Sequence, residues 1–225
     1  MDLPDPEKNF PRPPPTKKDM EAEWESHARK MEERRNLGLA EDYWRQSGVG
    51  ERHRLPIMLG ANLEAHRQWA YSLGIAREVV KNGGMMAFLG SPGNGKTQMA
   101  AYLVWEVVHR PAPALFVESA EMVKALREPF KSRESELTVM RRFVDPVLLV
   151  IDEFRLGKTD WEQEQMGFIL NKRYATMRPT ILTANMARPE FSAMLGPRLC
   201  DRFREDGQVI VFNWGSFRGK GAGSD

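Results

Sequence analysis

Phe88 to Met99 read FLGSPGNGKTQM, and this stretch decides the fold. Gly90, Gly95, Lys96 and Thr97 fill the spacing G-x-x-x-x-G-K-S/T, directly after the apolar run MMAFLG (85–90) and at the head of the helical pattern KTQMAAYLVWEVVHR (96–110). A strand, a glycine-rich turn and a helix in that order make a phosphate cradle. The glycines let backbone amides curl around anionic oxygens, and the helix N-terminus adds positive potential. Lys96 is placed to reach the β and γ phosphates of a nucleotide, and the Thr97 hydroxyl to ligate magnesium. We expect the whole turn, Gly90, Ser91, Pro92, Gly93, Asn94, Gly95, Lys96, Thr97 and Gln98, to surround the phosphates.

Outward from this turn, apolar runs alternate with helical patterns. ALFVES (114–119), VLLVIDEF (147–154), TILTAN (180–185) and QVIVFNW (208–214) read as further strands. Their apolar runs suit strands covered on both faces. Between them, AEMVKALREPF (120–130), ESELTVMRRFV (134–144) and WEQEQMGFILNKRYATM (161–177) read as helices, and two short helices precede the last strand. Before the cradle, Asn62 can cap a helix through residues 63–82 that closes at Gly83 and Gly84. The alternation predicts an α/β fold: a P-loop core with a mostly parallel five-stranded sheet between helices.

The chemistry beyond phosphate binding rests on what the neighbouring strands carry. In LLVIDEF (148–154), apolar residues deliver Asp152 and Glu153 to the C-terminal edge of a strand, where nucleotide sites of such sheets lie. We expect Asp152 to hold magnesium with Thr97, and Glu153 to polarise an attacking water, which makes hydrolysis the expected reaction. Asn185 ends the next strand; it reads equally as a helix cap or as a group touching water or the γ phosphate, and its place in the strand order favours the second. In GPRLCDRF (196–203), Arg198 and Arg202 lie four apart on one helical face. Arginine's planar fork suits a γ phosphate, including one in a neighbouring subunit, and the alternative is an ion pair with Asp201 or Glu205.

Composition sets the outer limits. The 225 residues carry a net charge of +2 with 28% charged residues, so any polyanion-binding surface must be local. The single cysteine, Cys200, excludes an internal disulfide framework and a cysteine-built zinc site, which fits a cytoplasmic protein. No apolar run approaches the roughly 20 residues needed to span a bilayer, so we expect no membrane. Residues 1–18 are rich in proline and charge and read as a disordered tail. Residues 19–46 form a helical pattern with Met20, Trp24, His27 and Met31 on one side, a stripe that suits either loose packing on the core or a partner.

Taken together and in this order, GSPGNGKT, LLVIDEF, ILTAN and GPRLCDRF resemble an AAA+ ATPase, with Walker A, Walker B, sensor I and an arginine-finger box. The closing stretch GPRLCDRFREDGQVIVFNWGSFR (196–218) and the upstream YWRQSGVGERH (43–53) narrow the resemblance to DnaC-type replicative helicase loaders, a family that also includes IstB-type transposition helpers. The resemblance covers residues from about 40 to 218. It implies ATP and Mg2+ as cofactors, Arg202 as an arginine finger acting between protomers of a homo-oligomer, Arg198 as its companion, and Arg218 as a candidate for a second nucleotide sensor. It also implies a linker at 47–61 near the adenine, an ATPase core over 62–218, and a flexible tail at 219–225 in place of the usual helical lid.

On the same resemblance the chain is expected to deliver a DnaB-like replicative helicase onto single-stranded DNA, the alternative being an IstB-like helper acting on duplex DNA. The DNA-binding candidates are Lys124, Arg127, Lys131, Arg133, Arg141 and Arg142, a local basic concentration suited to backbone phosphates. The alternative for these is a solvated face neutralised by Glu121, Glu128, Glu134 and Glu136. The helicase would be gripped through the 19–46 arm, with Trp24, Met31, Leu37, Leu39, Tyr43 and Trp44 as the apolar anchors, which could equally fold back on the core.

Overall fold

A computed structural model describes residues 17–58, 66–128, 135–205 and 207–217, with the side chains of 17–24, 27 and 28 outside that description. The chain divides into two compact units, one ending at Gly38 and one from Leu39 onward. In the first, the described residues belong to helix α1 (Lys17–Gln46), where Met31 and Leu37 stand exposed and Arg35 pairs with Glu32 at 4.0 Å. The proposed anchor Trp24, and Met20 and His27 beside it, have side chains outside the description.

The second unit is an α/β sandwich. In chain order it contains α2 (Glu51–Met58), α3 (Arg67–Lys81), β1 (Met85–Gly90), α4 (Lys96–Val108), β2 (Ala114–Glu118), α5 (Ser119–Arg127), α6 (Glu136–Val144), β3 (Leu148–Asp152), α7 (Asp160–Ala175), β4 (Thr180–Ala184), α8 (Arg188–Glu205) and β5 (Gly207–Phe212). The five strands form one sheet in the order β2-β3-β4-β1-β5, and every neighbouring pair runs parallel. This matches the α/β architecture read from the alternation.

Side-chain alternation along the strands builds two cores. Met86 and Phe88 of β1, Leu148 and Val150 of β3 and Ile181 of β4 face α3 and α4, where Leu73, Ala76, Leu103 and Val104 complete one layer. Met85, Ala87, Leu89, Leu149, Ile151 and Leu182 face the opposite way, against Met122, Phe143, Ile169, Leu170 and Leu199 of α5 to α8. Both faces of β1, β3 and β4 are therefore covered, which is why these runs are apolar at nearly every position. At about 1.5–3 kcal/mol for each fully buried large apolar side chain, these two layers dominate the fold's stability.

Helix boundaries follow local chemistry. The α7 helix opens with a capping box, Thr159 accepting from the Glu162 amide and the Glu162 carboxylate accepting from the Thr159 amide. The α6 helix is capped by Ser135, which accepts from the Thr138 amide at 3.2 Å. The α3 helix is capped by His66, whose Nδ1 accepts from the Trp69 amide, while the expected cap Asn62 lies outside the described residues. The two short helices expected before the last strand are the two arms of α8, which bends at Gly196 just before Pro197.

Tyr43 packs against the core and Trp44 is buried in it, so the end of α1 belongs to the second unit and Trp44 is not available as a surface anchor. The following turn covers the open edge of β2. The Phe116 amide donates to the Ser47 carbonyl at 2.6 Å, and Gly48 sits at φ 80° against the same residue. A Cβ at Gly48 would stand 2.2 Å from the Phe116 carbonyl oxygen. Gly48→Ala is therefore expected to cost about 2 kcal/mol or more, combining the left-handed backbone with this clash, and a urea melt of the variant checks it. Among the described residues no helix is long and apolar enough to cross a membrane.

Candidate functional site

The order of strands places the site. Because β1 lies between β4 and β5, with β3 beyond β4, the loops after β1, β3 and β4 open onto the same C-terminal edge of the sheet. A cleft of about 780 Å³ lies there, and its walls include Lys96, Thr97, Asp152, Glu153, Thr183 and Asn185. Residues from three separate strand ends thus share one cavity.

The cradle itself is tightly shaped. Gly90 sits at φ 135°, and a Cβ there would stand 2.4 Å from the Phe212 carbonyl oxygen, so only glycine fits between β1 and β5 at this point. The buried Asn94 side chain donates to that same carbonyl at 2.5 Å, which ties the turn to the end of β5. Lys96 is also buried, and its ammonium donates to the Gly90 carbonyl at 2.9 Å, the Ser91 carbonyl at 2.7 Å and the Asn94 amide oxygen at 3.1 Å. A buried cation held by neutral oxygens, at a helix N-terminus, is chemically matched to an incoming polyanion.

Thr97 and Asp152 meet directly, the hydroxyl donating to the carboxylate at 3.2 Å, so one hard oxygen donor from α4 and one from β3 stand together. That donor set fits a magnesium ion held with triphosphate oxygens. The opposite carboxylate neighbour, Glu153, is exposed to the cleft and adopts φ 50°, a left-handed conformation unusual outside glycine. The Glu153 amide donates to Thr183 Oγ1 at 3.2 Å, and the Phe154 amide to the Thr183 carbonyl at 2.7 Å. Thr183 Oγ1 in turn donates to Asp152 Oδ1. A single buried threonine on β4 therefore orients both acidic residues, and sequence reading missed it: within TILTAN it looks like any strand residue. Glu118 ends β2 in register with Asp152, and partial burial first, then the carboxylates of Glu121, Glu153 and Asp152, raise its pKa above the ordinary value.

The rest of the cleft wall is made of Arg52, His53 and Pro56 from α2, within the linker expected near the base, and of His66, Trp69 and Phe217, which carried no signal of their own. Gln98, expected beside the phosphates, bonds His53 twice, its amide oxygen accepting from Nδ1 at 3.0 Å and its amide nitrogen donating to the His53 carbonyl at 3.1 Å. Of the expected 47–61 linker near the base, Arg52, His53 and Pro56 line the cleft while Ser47 and Gly48 lie along β2.

The arginine pair is elsewhere. Arg198 is exposed on the second arm of α8; Arg202 is half-buried, its guanidinium 4.7 Å from the Tyr174 ring centroid. Neither lines the cleft of its own chain. Asp201 pairs with Arg204 at 2.9 Å, and Glu205 accepts from the Tyr174 hydroxyl at 2.6 Å. Among the DNA candidates, Lys124, Arg141 and Arg142 are exposed on α5 and α6, and Arg127 pairs with Glu162. Amide donation from Lys158 first, then from Thr159, holds the Glu162 carboxyl below the usual range, with Arg127 adding to it. Lys131, Arg133 and Glu134, like Arg218, lie outside the described residues.

Residues 75–221 match the family model "IstB-like ATP binding protein". The chain is 30% identical over 161 residues to the replicative helicase loader DnaC of Escherichia coli K12, covering 68% of this chain and 66% of the relative. It is 32% identical over 109 residues to an insertion sequence IS5376 putative ATP-binding protein of Geobacillus stearothermophilus, covering 48% of this chain and 43% of the relative. The chain thus spans just under two thirds of the length of the DnaC relative. Among solved structures, a DnaC helicase loader superposes with a TM-score of 0.58 at 22% identity, over 72% of this chain and 99% of that one. AMPPCP-bound DnaA from Aquifex aeolicus superposes with a TM-score of 0.58 at 20% identity, over 66% and 47%. These two show the shared fold. With the family model matched across more than half its length, the chain belongs to the IstB-like ATP-binding family, as a DnaC/IstB-type AAA+ protein.

Proposed function

We propose that the chain is an ATP-hydrolysing helicase loader that delivers a DnaB-like ring helicase onto single-stranded DNA at the start of replication. The observation that carries the reading is the convergence of Lys96, Thr97, Asp152, Glu153 and Asn185 in one cleft of a DnaC-related chain. In the reaction, Lys96 exchanges its carbonyl partners for the β and γ phosphates. Thr97 and Asp152 would hold Mg2+, which supplies charge neutralisation on the triphosphate when bound. Glu153 orients and deprotonates the attacking water, and Asn185 holds that water or the γ phosphate from the other side. Arg202, outside its own cleft, serves a neighbouring protomer in a homo-oligomer formed on ATP with DNA or helicase, and Arg198 accompanies it. Lys124, Arg141 and Arg142 offer an exposed basic surface to DNA phosphates.

The test is co-purification of the full chain with the cognate replicative helicase, with and without ATP. The expected result is a complex whose release requires hydrolysis. Lys96→Ala should lose at least about 100-fold in ATP affinity, since it removes the buried cation from the cradle, and equilibrium binding with a fluorescent ATP analogue measures this. A second reading, an IstB-like transposition helper on duplex DNA, is favoured by the family model matched and by the insertion-sequence relative. Failure to bind helicase, together with retention on duplex DNA, would decide for it.

A further inference from the structure

The lining of the cleft is of two chemical kinds. One set is the ammonium, hydroxyl, carboxylates and amide already described; the other is His53, Pro56, His66, Trp69 and Phe217. Phe217 is 44% exposed, yet it is held in place. Its amide donates to the Gly93 carbonyl at 2.8 Å, and its ring carbon Cε2 lies 3.1 Å from where a Cβ on Gly95 would stand. The His66 ring meets it edge-on at 5.3 Å. Three residues earlier, Trp214 Nε1 donates to the Asn94 carbonyl at 3.0 Å, and the Trp214 ring packs on Phe212 at 4.7 Å. The segment after β5 therefore folds back over the phosphate turn and sets a flat apolar ring in the cleft's wall.

An aromatic ring fixed in position and left wet is costly unless a flat partner covers it. From these contacts we propose that Phe217 is the nucleobase wall of the site, stacking the base of a nucleoside triphosphate whose phosphates lie on the adjoining turn, so that one short segment supports both ends of the ligand. This rests on the nucleotide reading above. It assigns base binding to a residue beyond the last strand and well separated in sequence from the 47–61 linker.

The experiment compares ATP with inorganic tripolyphosphate, which has the charge and no base, by calorimetric titration of the full chain. Phe217→Ala is expected to weaken ATP binding about tenfold, as loss of one base–aromatic stack does, and to leave tripolyphosphate binding unchanged. Phe217→Trp keeps a flat face and should bind ATP as the parent does; Phe217→Leu, with bulk but no π face, should behave as the alanine variant does. Unchanged ATP affinity in Phe217→Ala overturns the assignment. So does equal weakening of both ligands, which would make the ring a prop for the turn. Should the parent chain bind neither ligand, the nucleotide reading itself falls, a result distinct from both.

Discussion

Glu153→Gln is expected to slow ATP hydrolysis by roughly 10²–10⁴-fold, the usual range for loss of a positioned general base, while ATP affinity stays near that of the parent. The selectivity follows from how the two neighbouring carboxylates are held. Asp152 is buried and bonded to Thr97 and Thr183, so replacing it disturbs the strand end, the metal position and nucleotide binding together. Glu153 points into the cleft, and it is its amide, not its carboxylate, that is tied to Thr183. Exchanging one carboxylate oxygen for an amide nitrogen therefore leaves the backbone arrangement intact. Its left-handed backbone, costing on the order of 1–2 kcal/mol, is strain retained at a site where the side chain must be aimed. Phosphate release in single turnover, paired with equilibrium ATP binding, reads both halves. A variant hydrolysing at the parental rate would move water activation to another group.

The second large effect concerns stability. Arg173 on α7 is fully buried, and among the described residues no carboxylate accepts from it. Its guanidinium donates to the carbonyls of Phe143, Val144, Pro146, Val147 and Pro179 and to Thr180 Oγ1. The first two carbonyls belong to the last turn of α6, where the helix dipole favours a cation. The others lead into β3 and β4. Burial, and then the nearby Arg178 charge, pull its pKa down to about 9, with Asp145 opposing, so it remains charged at pH 7. Arg173→Met fills similar space but strands several buried acceptors, each costing about 1–3 kcal/mol when left unmade and offset in part by the desolvation no longer needed. We expect a net loss of about 3–5 kcal/mol, or roughly 6–20 °C in Tm for a domain of this size. Arg173→Lys should recover only part, since one ammonium cannot span the fork's partners. Differential scanning calorimetry distinguishes these outcomes, and a melt unchanged in Arg173→Met would show the carbonyls find other donors.

What the sequence disclosed divides along a physical line. The strands, the cradle and the acidic strand tip are written locally, in apolar runs and fixed spacings, and the structure's parallel five-stranded sheet follows from their alternation. Residues whose role depends on strand order left no such trace. Thr183 matters because β4 adjoins β3, and Arg173 because α7 passes beneath the turn between α6 and β3. His66 and Phe217 are neighbours in space only because β5 docks on β1. Trp44 is open in the sequence for a related reason: within a charged helix it reads equally as a partner anchor or as a core residue, and only the packing at the end of α1 decides for the core.

The placement of β1 has a consequence for biosynthesis. Met85 pairs with Thr180 on one side and Gly207 on the other, so the strand that launches the phosphate turn has no partner until most of the core has been translated. A ribosome-bound nascent chain ending before β4 would hold that strand with both edges bare, the kind of unpaired edge that favours aggregation. Nucleotide capture then becomes a late event, after release of the last strand from the exit tunnel.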